Sequence, residues 1–439
     1  MMLLGTQSVN AAGHLQVGGC DALELAAEFG TPLYVLDEAH LRATAQAYRR
    51  ALAAHCRHSR VYYASKALTT TAVIAMMVEE GLAFDVASAG ELQTALAAGA
   101  DPADLLLHGN YKSSAEMRLA LTSGVGRICV DSLSELAAWD ALAGELGVRA
   151  GIYLRVNPNV QGDTHASIST GQIDSKFGLS IQSGAAEAAV AQALRARHLD
   201  LVGLHCHIGS QILEAQPFAD AAAELADFAA DLRTQHGLTL RELDLGGGLG
   251  IRYLPSHQPP SIAEFVGQVV ETLRARLAEH DYPIPTLCLE PGRSLVGEAG
   301  LTLYTIGPVK PIPGVRTYVS VDGGLSDNPR PAMYQSPYHV FLADRPTAEA
   351  DGIYTVAGKH CETDTLFPDV PLAAPAEGGI LAVQSTGAYN YAMASNYNRL
   401  PRPAMVTVRD GQAEVIVARE SVEDTLRSDR LPARLARRR

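Results

Sequence analysis

Residues 60–97 carry the pattern that decides the fold, and they read RVYYASKALTTTAVIAMMVEEGLAFDVASAGELQTALA. A short apolar run at 60–67 is followed by a helix-like stretch rich in Ala, Met and Glu, and the pair of patterns then repeats. Strands of nearly continuous apolar character that alternate with helices indicate a parallel sheet whose faces are both covered.

The same alternation continues to residue 295. The candidate strands are RVYYASKA, AFDVAS, LLLHG, RICVD, GIYLRVN, LVGLHCHIG, LRELDLGGG and TLCLEPGRSL. Eight strand–helix units favour a closed (β/α)8 TIM barrel over an open sheet. We therefore predict an α/β chain with a barrel domain at residues 37–298.

After residue 300 the pattern changes to strand-like alternation with Gly/Pro turns. Examples are LTLYTIGPVKPI, RTYVSVDGG, GILAVQSTGAY and AMVTVRDGQAEVIVARE. The N-terminal segment TPLYVLD has the same character, so it is expected to add a strand to this region. The prediction is a C-terminal all-β domain, sandwich-like or barrel-like, built from residues 1–36 and 299–439.

Composition excludes several classes of protein. The 439 residues are 47% hydrophobic and carry a net charge of −13, which favours a large buried core and argues against binding to nucleic acid. The basic tail RSDRLPARLARRR is expected to be solvated. Six cysteines without a C-x-x-C pair predict a reduced, cytoplasmic protein with no metal site. Neither a membrane span of ~20 apolar residues nor a secretory signal is found, so no membrane association is predicted.

Polar residues gather where the predicted strands end. In chain order they are Lys66, Asp85, His108, Asp131, Arg155, His207, Gly246 to Gly248, and Glu290 with Arg293. Barrel enzymes keep their chemistry at the face formed by the carboxyl ends of the strands. One such residue alone would indicate a helix cap, but the whole series predicts a shared pocket.

Lysine is scarce in this chain, which narrows the search for a reactive amine. Only five are present: Lys66, Lys112, Lys176, Lys310 and Lys359. Lys66 ends a strand behind apolar residues, and a desolvated lysine can form a Schiff base with an aldehyde. A salt bridge at the barrel mouth explains the same position equally well.

The other strand ends offer matching groups for one ligand. His205 and His207 alternate on one face, and an imidazole there could stack on an aromatic ring. Gly246, Gly247 and Gly248 can turn backbone amides toward an anion, although three glycines also suit a flexible turn. Arg293 suits a phosphate and Glu290 a protonated ring nitrogen. Together with a lysine for an aldehyde, this set describes pyridoxal phosphate (PLP).

With these motifs in place, the sequence resembles the fold-type III, alanine-racemase-like decarboxylases that use PLP, and among them the diaminopimelate decarboxylase family. The resemblance extends from about residue 30 to residue 406. The ordered motifs that carry it are YYASKA, FDVASAGE, HGNYKS, DSKFGL, HCHIGSQI, GGGLGI, EPGRSLVG, DNPRPAMY, CETDT and GAYNYAMASNYN. It implies decarboxylation of meso-2,6-diaminopimelate to L-lysine and CO2 by a homodimer with shared active sites.

The resemblance also implies a role for each matched position. Catalytic roles fall to Lys66, Cys361, His207 and Glu290. The cofactor would be held by Lys66, Asp85, His207, Ser210, Gly246, Gly247, Gly248, Glu290, Pro291, Gly292, Arg293 and Tyr389. The substrate would be bound by Arg293, Arg330, Tyr334, Glu362 and Tyr389. Cys361 matches the proton donor, which reaches the site from the partner subunit.

One motif departs from the family pattern. The family usually reads C-E-S-G-D where this chain has Cys361 to Thr365, C-E-T-D-T. Asp364 thus replaces a glycine that can require a special backbone angle. Two alternatives stay open: a sister decarboxylase acting on ornithine, arginine or a carboxylated polyamine, and a non-catalytic relative. The second should have lost Lys66 or Cys361, and both are present.

Overall fold

A computed structural model describes residues 2–158, 160 and 176–435. The chain divides into two compact units, His40–Glu298 and Met1–Ala39 with Ala299–Arg439. The first two residues of the DSKFGL motif and the last four of the basic tail lie outside the described residues. In the described ranges, every helix is too short or too polar to cross a bilayer.

The N-terminal segment forms a small sheet, one helix and one longer strand. Its elements are β1 (Ser8–Val9), β2 (Leu15–Val17), β3 (Cys20–Asp21), α1 (Ala22–Phe29) and β4 (Leu33–Asp37). The helix begins where the Asp21 carboxylate accepts the Leu23 N–H at 2.8 Å. The boundary predicted between residues 36 and 37 falls inside β4.

The strands of the second unit are β5 (Ser59–Ala64), β6 (Ala83–Val86), β7 (Leu105–Leu107), β8 (Arg127–Val130), β9 (Ala150–Asn157), β10 (Leu179–Ser180), β11 (Leu199–His205), β12 (Glu242–Asp244) and β13 (Thr286–Leu289). All except β10 form a closed parallel barrel in chain order, which Leu289 closes by pairing with Val61. β10 pairs with β9 as an addition. These eight barrel strands are the eight that the sequence predicted, so the predicted barrel is confirmed.

Helices follow the strands and cover the barrel. They are α2 (Glu38–His55), α3 (Thr71–Glu79), α4 (Ala89–Ala97), α5 (Ser114–Ser123), α6 (Leu133–Leu146), α7 (Ala185–Ala193), α8 (Gln216–His236), α9 (Ile262–Glu279) and α10 (Arg293–Val296). Capping boxes at Ser113 and Ser261 begin α5 and α9, and in each a glutamate three residues later returns the hydrogen bond.

Side chains fill the barrel interior. Tyr62 and Tyr153 are fully buried and pack in one cluster with Ala83, Leu106, Cys129, Val202 and Cys288. A TIM barrel packed in this way is a solid core rather than a pore. Ligand chemistry in this unit is therefore confined to the ends of the strands.

The other unit is rich in strands, as predicted. After residue 299 it contains β14 (Gly300–Ile312), β15 (Arg316–Val321), α11 (Arg330–Tyr334), β16 (Val340–Leu342), β17 (Gly352–Ala357), β18 (Thr365–Leu372), β19 (Ile380–Gln384), β20 (Ala404–Arg409) and β21 (Gln412–Val417). The sequence analysis did not identify β16, β17, β18 or α11.

The N-terminal strand β4 lies in the middle of this sheet, whose order is β18-β17-β15-β14-β4-β20-β21. Val35 pairs with Leu301 of β14 on one side and with Val406 of β20 on the other. All three side chains are buried in one hydrophobic cluster. The prediction that the N-terminal segment completes the β domain is thereby confirmed.

Candidate active site

Lys66 lies at the carboxyl end of β5, in a short 3-10 helix. Its Nζ is 2.6 Å from Oδ2 of Asp85, a buried carboxylate on the neighbouring strand β6. The lysine side chain is itself 46% exposed. Asp85 therefore holds the amine in position while the amine stays accessible to a ligand. The salt bridge and the accessible amine, which the sequence offered as alternatives, are both present.

Glu290 lies just after β13 and is held by two histidines. Nε2 of His108 is 2.6 Å from one carboxylate oxygen, and Nε2 of His205 is 3.1 Å from the other. All three residues are buried. The sequence analysis placed His108 at a strand end and His205 on the inner face but gave neither a role. The HGNYKS and HCHIGSQI motifs were the available signal.

These contacts set the charge of the cluster. Burial alone would raise the pKa of Glu290, but His108 and His205 hold that pKa well below its usual value. Burial alone would lower the pKa of both imidazoles, yet Glu290 raises the pKa of His205 to about 9 and raises that of His108 well above its ordinary value. The contacts thus favour the charged form of each of the three groups.

Cys129 completes the cluster from β8. Burial would raise the pKa of this thiol, but His205 and His108 lower it to about 6. Its sulfur and one nitrogen from each imidazole lie within 4.8 Å of one another, a spacing that a metal could use. Hydrogen bonds from these imidazoles to both oxygens of Glu290 already use one nitrogen of each ring. The prediction that the protein has no metal site is not tested by the structure.

The glycines after β12 bring backbone close to Glu290. A Cβ on Gly247 would lie 1.9 Å from the backbone oxygen of Glu290, and one on Gly248 would lie 2.2 Å from that of Gly209. Gly248 also has a φ of +127°, which L-residues rarely adopt. A side chain at either position would collide with the backbone, so only glycine fits there.

Arg293 lies on the short helix α10 and is buried. Its guanidinium donates to Oγ of Ser210 at 2.9 Å and to the hydroxyl of Tyr253 at 2.5 Å. Tyr253 was not predicted, although it ends the GGGLGIRY stretch. Pro291 and Gly292 connect Glu290 to this arginine, and a Cβ on Gly292 would lie 3.0 Å from the Cβ of Ala64, close to Lys66 in the chain.

His207 follows β11 and is half-buried next to Gly246. Burial and the nearby cations Arg155 and Lys66 hold its pKa well below the ordinary value. The ring is therefore neutral. A neutral, flat imidazole at this position is suited to contact the face of an aromatic ligand.

The remaining predicted residues lie in the β unit and form two groups. In the first, the buried guanidinium of Arg330 lies 5.2 Å from the ring centre of Tyr334 and 5.6 Å from that of Tyr389. In the second, Cys361 and Glu362 are both exposed. The hydroxyl of Tyr397, which was not predicted, donates to Glu362 at 2.5 Å.

The barrel residues suit PLP by their chemistry. Lys66 offers an amine to the aldehyde, Glu290 a stable carboxylate to the ring nitrogen, and Arg293 with Ser210 donors to the phosphate. The glycine cradle, Gly246 to Gly248, can turn backbone amides toward an anion. The donor set thus fits the cofactor that the sequence predicted.

Comparison with known proteins agrees with this geometry. Residues 38–297 match the family model for the pyridoxal-binding domain of pyridoxal-dependent decarboxylases. The diaminopimelate decarboxylase of Bacillus subtilis is 45% identical over 98% of both chains, and that of Synechocystis is 46% identical over 98% of this chain and 93% of its own. The solved diaminopimelate decarboxylase of M. jannaschii, in complex with L-lysine, superposes with a TM-score of 0.92 at 34% identity, covering 98% of this chain and 99% of that one. The chain belongs to the diaminopimelate decarboxylases, and its cofactor is pyridoxal phosphate.

Proposed function

We propose that the protein removes one carboxylate from meso-2,6-diaminopimelate and releases L-lysine and CO2. The observation that carries this proposal is the set of groups at the barrel mouth: an accessible Lys66 amine, an ionised Glu290 and a buried Arg293. Relatives that match over nearly their full length and are named diaminopimelate decarboxylase support it, and one of them was solved with L-lysine.

When bound, PLP supplies an electron sink for the electron pair that remains when the carboxylate leaves as CO2. Lys66 would hold its aldehyde carbon, with Asp85 fixing the Nζ position. Glu290, kept charged by His108 and His205, would accept a hydrogen bond from the ring nitrogen. His207 would cover one face of the ring and exclude water from it.

Phosphate binding falls to the cradle and α10. Arg293 and Ser210 already share a hydrogen bond of 2.9 Å, so the two donors are arranged before any ligand arrives. Gly246, Gly247 and Gly248 would add backbone amides. Donors fixed in advance bind an anion without reorganisation, which favours tight retention of the cofactor.

Cys361 would then supply the proton that replaces the lost carboxylate on the α-carbon. Glu362 would bind the distal ammonium of the substrate, and Arg330 would bind the carboxylate that is kept. Tyr334 and Tyr389 flank Arg330 and would orient it. These roles follow from the family motifs and the chemistry of each side chain.

The proposal includes a homodimer in the cytoplasm. We propose the domain bounds 37–298 for the barrel and 1–36 with 299–439 for the β domain, and we propose that the partner subunit supplies Cys361. Mixing inactive Lys66→Ala and Cys361→Ala subunits then tests sharing. Random reassortment should restore about a quarter of the wild-type activity, because half of the dimers hold one intact site of two. No recovery after proven subunit exchange would contradict a shared site.

The reaction is tested by CO2 release from a panel of amino acids. We expect turnover of meso-diaminopimelate and little or none of ornithine, arginine or carboxylated polyamines. Lys66→Ala should abolish turnover and covalent retention of the cofactor after borohydride reduction, whereas Lys310→Ala, an exposed lysine of the β unit, should change neither. Release from ornithine but not from diaminopimelate would overturn the proposal.

A further inference from the structure

The loop that departs from the family pattern is built around a buried carboxylate. Asp364 stands where the family usually has glycine, and its φ is +35°. That backbone angle is one that glycine adopts readily and other residues avoid, although aspartate tolerates it better than most. We therefore expect the aspartate side chain to make contacts that offset the backbone strain.

Three donors converge on this carboxylate. Oδ1 accepts the backbone N–H of Leu325 at 2.9 Å, and Oδ2 accepts the N–H of His360 at 3.1 Å and lies 2.6 Å from its Nδ1. The side chains of His360 and Asp364 are 0% and 2% exposed. Hydrogen bonds to a buried carboxylate are among the stronger ones in proteins.

The surrounding backbone is shaped to admit the carboxylate. A Cβ on Gly324 would lie 2.2 Å from Oδ2 of Asp364, and a Cβ on Gly358 would lie 2.0 Å from the same atom. The N–H of Gly358 also donates to the Asp364 backbone oxygen at 2.8 Å. Two glycines leave space that the aspartate fills, so the pocket and the side chain match each other.

The buried pair holds the segment that carries Cys361 and Glu362. The His360 ring stacks on Tyr397 with centroids 5.7 Å apart and planes 16° from parallel. The hydroxyl of the same tyrosine donates to Glu362. The N–H of Cys361 donates to Oδ1 of Asn398 at 3.0 Å. Asp364 thus fixes His360, and His360 orders the partners of the next two residues.

We infer that the buried His360–Asp364 pair positions Cys361 and Glu362. The pair does so by ordering the C-E-T-D-T loop, whose sequence departs from the family pattern. Both side chains are almost fully buried, so the pair is assigned a positioning role and not a catalytic one. The inference rests on the proposed function for the roles of Cys361 and Glu362, while the positioning itself is a property of the β unit.

The test compares two variants of Asp364 with matched controls. Asp364→Asn keeps the shape, but its NH2 group cannot accept the hydrogen bonds that one oxygen now accepts. Asp364→Gly restores the usual family residue and removes the acceptor entirely. Asp369→Asn and Asp369→Gly are the controls, because Asp369 also has a positive φ, of 53°, and lies exposed in β18.

Two readouts are measured on the holoenzyme. The first is kcat and KM for meso-diaminopimelate, with bound cofactor measured by its absorbance. The second is the rate at which iodoacetamide alkylates Cys361, measured by peptide mass spectrometry. Cys361 is the one exposed cysteine of the six, all of which lie in the described ranges. A structural role elsewhere would leave this rate unchanged.

We expect Asp364→Gly to lower kcat about 100-fold and Asp364→Asn about tenfold, with cofactor content unchanged, because small misplacements of a reacting group cost rates of this order. Alkylation of Cys361 should change at least about threefold in both, as the loop loosens. The Asp369 variants should stay within about twofold of wild type. If Asp364→Gly does not fold, the isosteric Asn variant decides.

Unchanged kcat, KM and alkylation in the Asp364 variants would overturn the inference, as would a lower kcat with an unchanged alkylation rate. Failure of the proposed function looks different. A wild-type enzyme that releases no CO2 from any substrate removes the proposed reaction, yet the alkylation rates still decide whether the pair positions Cys361.

Discussion

Replacing Gly247 by alanine should damage the active site through one steric contact. The new Cβ would lie 1.9 Å from the backbone oxygen of Glu290, whereas real Cβ contacts below 3.0 Å essentially do not occur. The φ of Gly247 lies outside the left-handed region, so backbone strain adds nothing to the effect. The chain after β13 must therefore retreat by more than about 1 Å.

The retreat reaches the carboxylate of Glu290. Its contacts with His108 and His205, at 2.6 and 3.1 Å, cannot both survive a shift of that size. Overpacking costs about 1–3 kcal/mol, and loosening a buried ion pair adds to it. We expect a loss of about 2–4 kcal/mol in the free energy of unfolding, and a decrease in kcat of about 100-fold from misplacement at the cofactor.

The assay combines thermal unfolding, cofactor absorbance and decarboxylation. Gly267→Ala is the matched control: it lies inside α9, the nearest atom to its new Cβ is a flexible side-chain nitrogen at 3.6 Å, and alanine should stabilise the helix by up to about 1 kcal/mol. A Gly247→Ala protein with the melting temperature, cofactor content and kcat of the control would refute the reasoning.

Two further predictions concern charged residues outside the predicted set of site residues. Hydrogen bonds from Arg402 lower the pKa of Glu420 to about 2. Because this folded-state pKa is below the unfolded value of about 4.3, its stabilisation is present above pH 4.3 and is lost as the pH falls toward 2. Glu420→Gln should therefore lower the free energy of unfolding, measured with denaturant at pH 7, by about 1–2 kcal/mol. The difference from wild type should shrink in acid, and a difference that does not vary with pH would contradict this. Lys112→Met should lower the free energy of unfolding by about 3 kcal/mol, because it removes the cation that lies 2.7 Å from the Glu135 carboxylate. The control Lys310→Met changes an exposed lysine and should lower it by less than about 0.5 kcal/mol. Equal losses in the two variants would contradict the ion-pair argument.

Sequence reasoning succeeded where one strand alone carries the information. All eight barrel strands were identifiable because each is an apolar run followed by a polar end and a helix. The positions of Lys66 and Glu290 at strand ends could be predicted for the same reason. The pairing of His108 with Glu290 could not, because the two lie 182 residues apart and meet only when the barrel closes.

The β unit was harder to predict for a different reason. Its short strands β16 to β18 are interrupted by polar turns, and their order in the sheet depends on pairings between distant segments. Asp364 illustrates the limit. The sequence showed that an aspartate replaces a glycine, but only the structure shows that its carboxylate accepts the N–H groups of Leu325 and His360.

The buried cluster explains how Glu290 can stay ionised away from water, as its proposed role at the ring nitrogen requires. Burial favours protonation of Glu290, and a protonated acid would not keep the ring nitrogen charged. Two imidazoles reverse that preference, and their own extra charge is offset by Glu290 and by the Cys129 thiol, whose pKa falls to about 6. Each charge in the cluster is thus stabilised by its neighbours rather than by water. If Glu290 is the partner of the ring nitrogen, as proposed, the electron sink depends on His108, His205 and Cys129 as well.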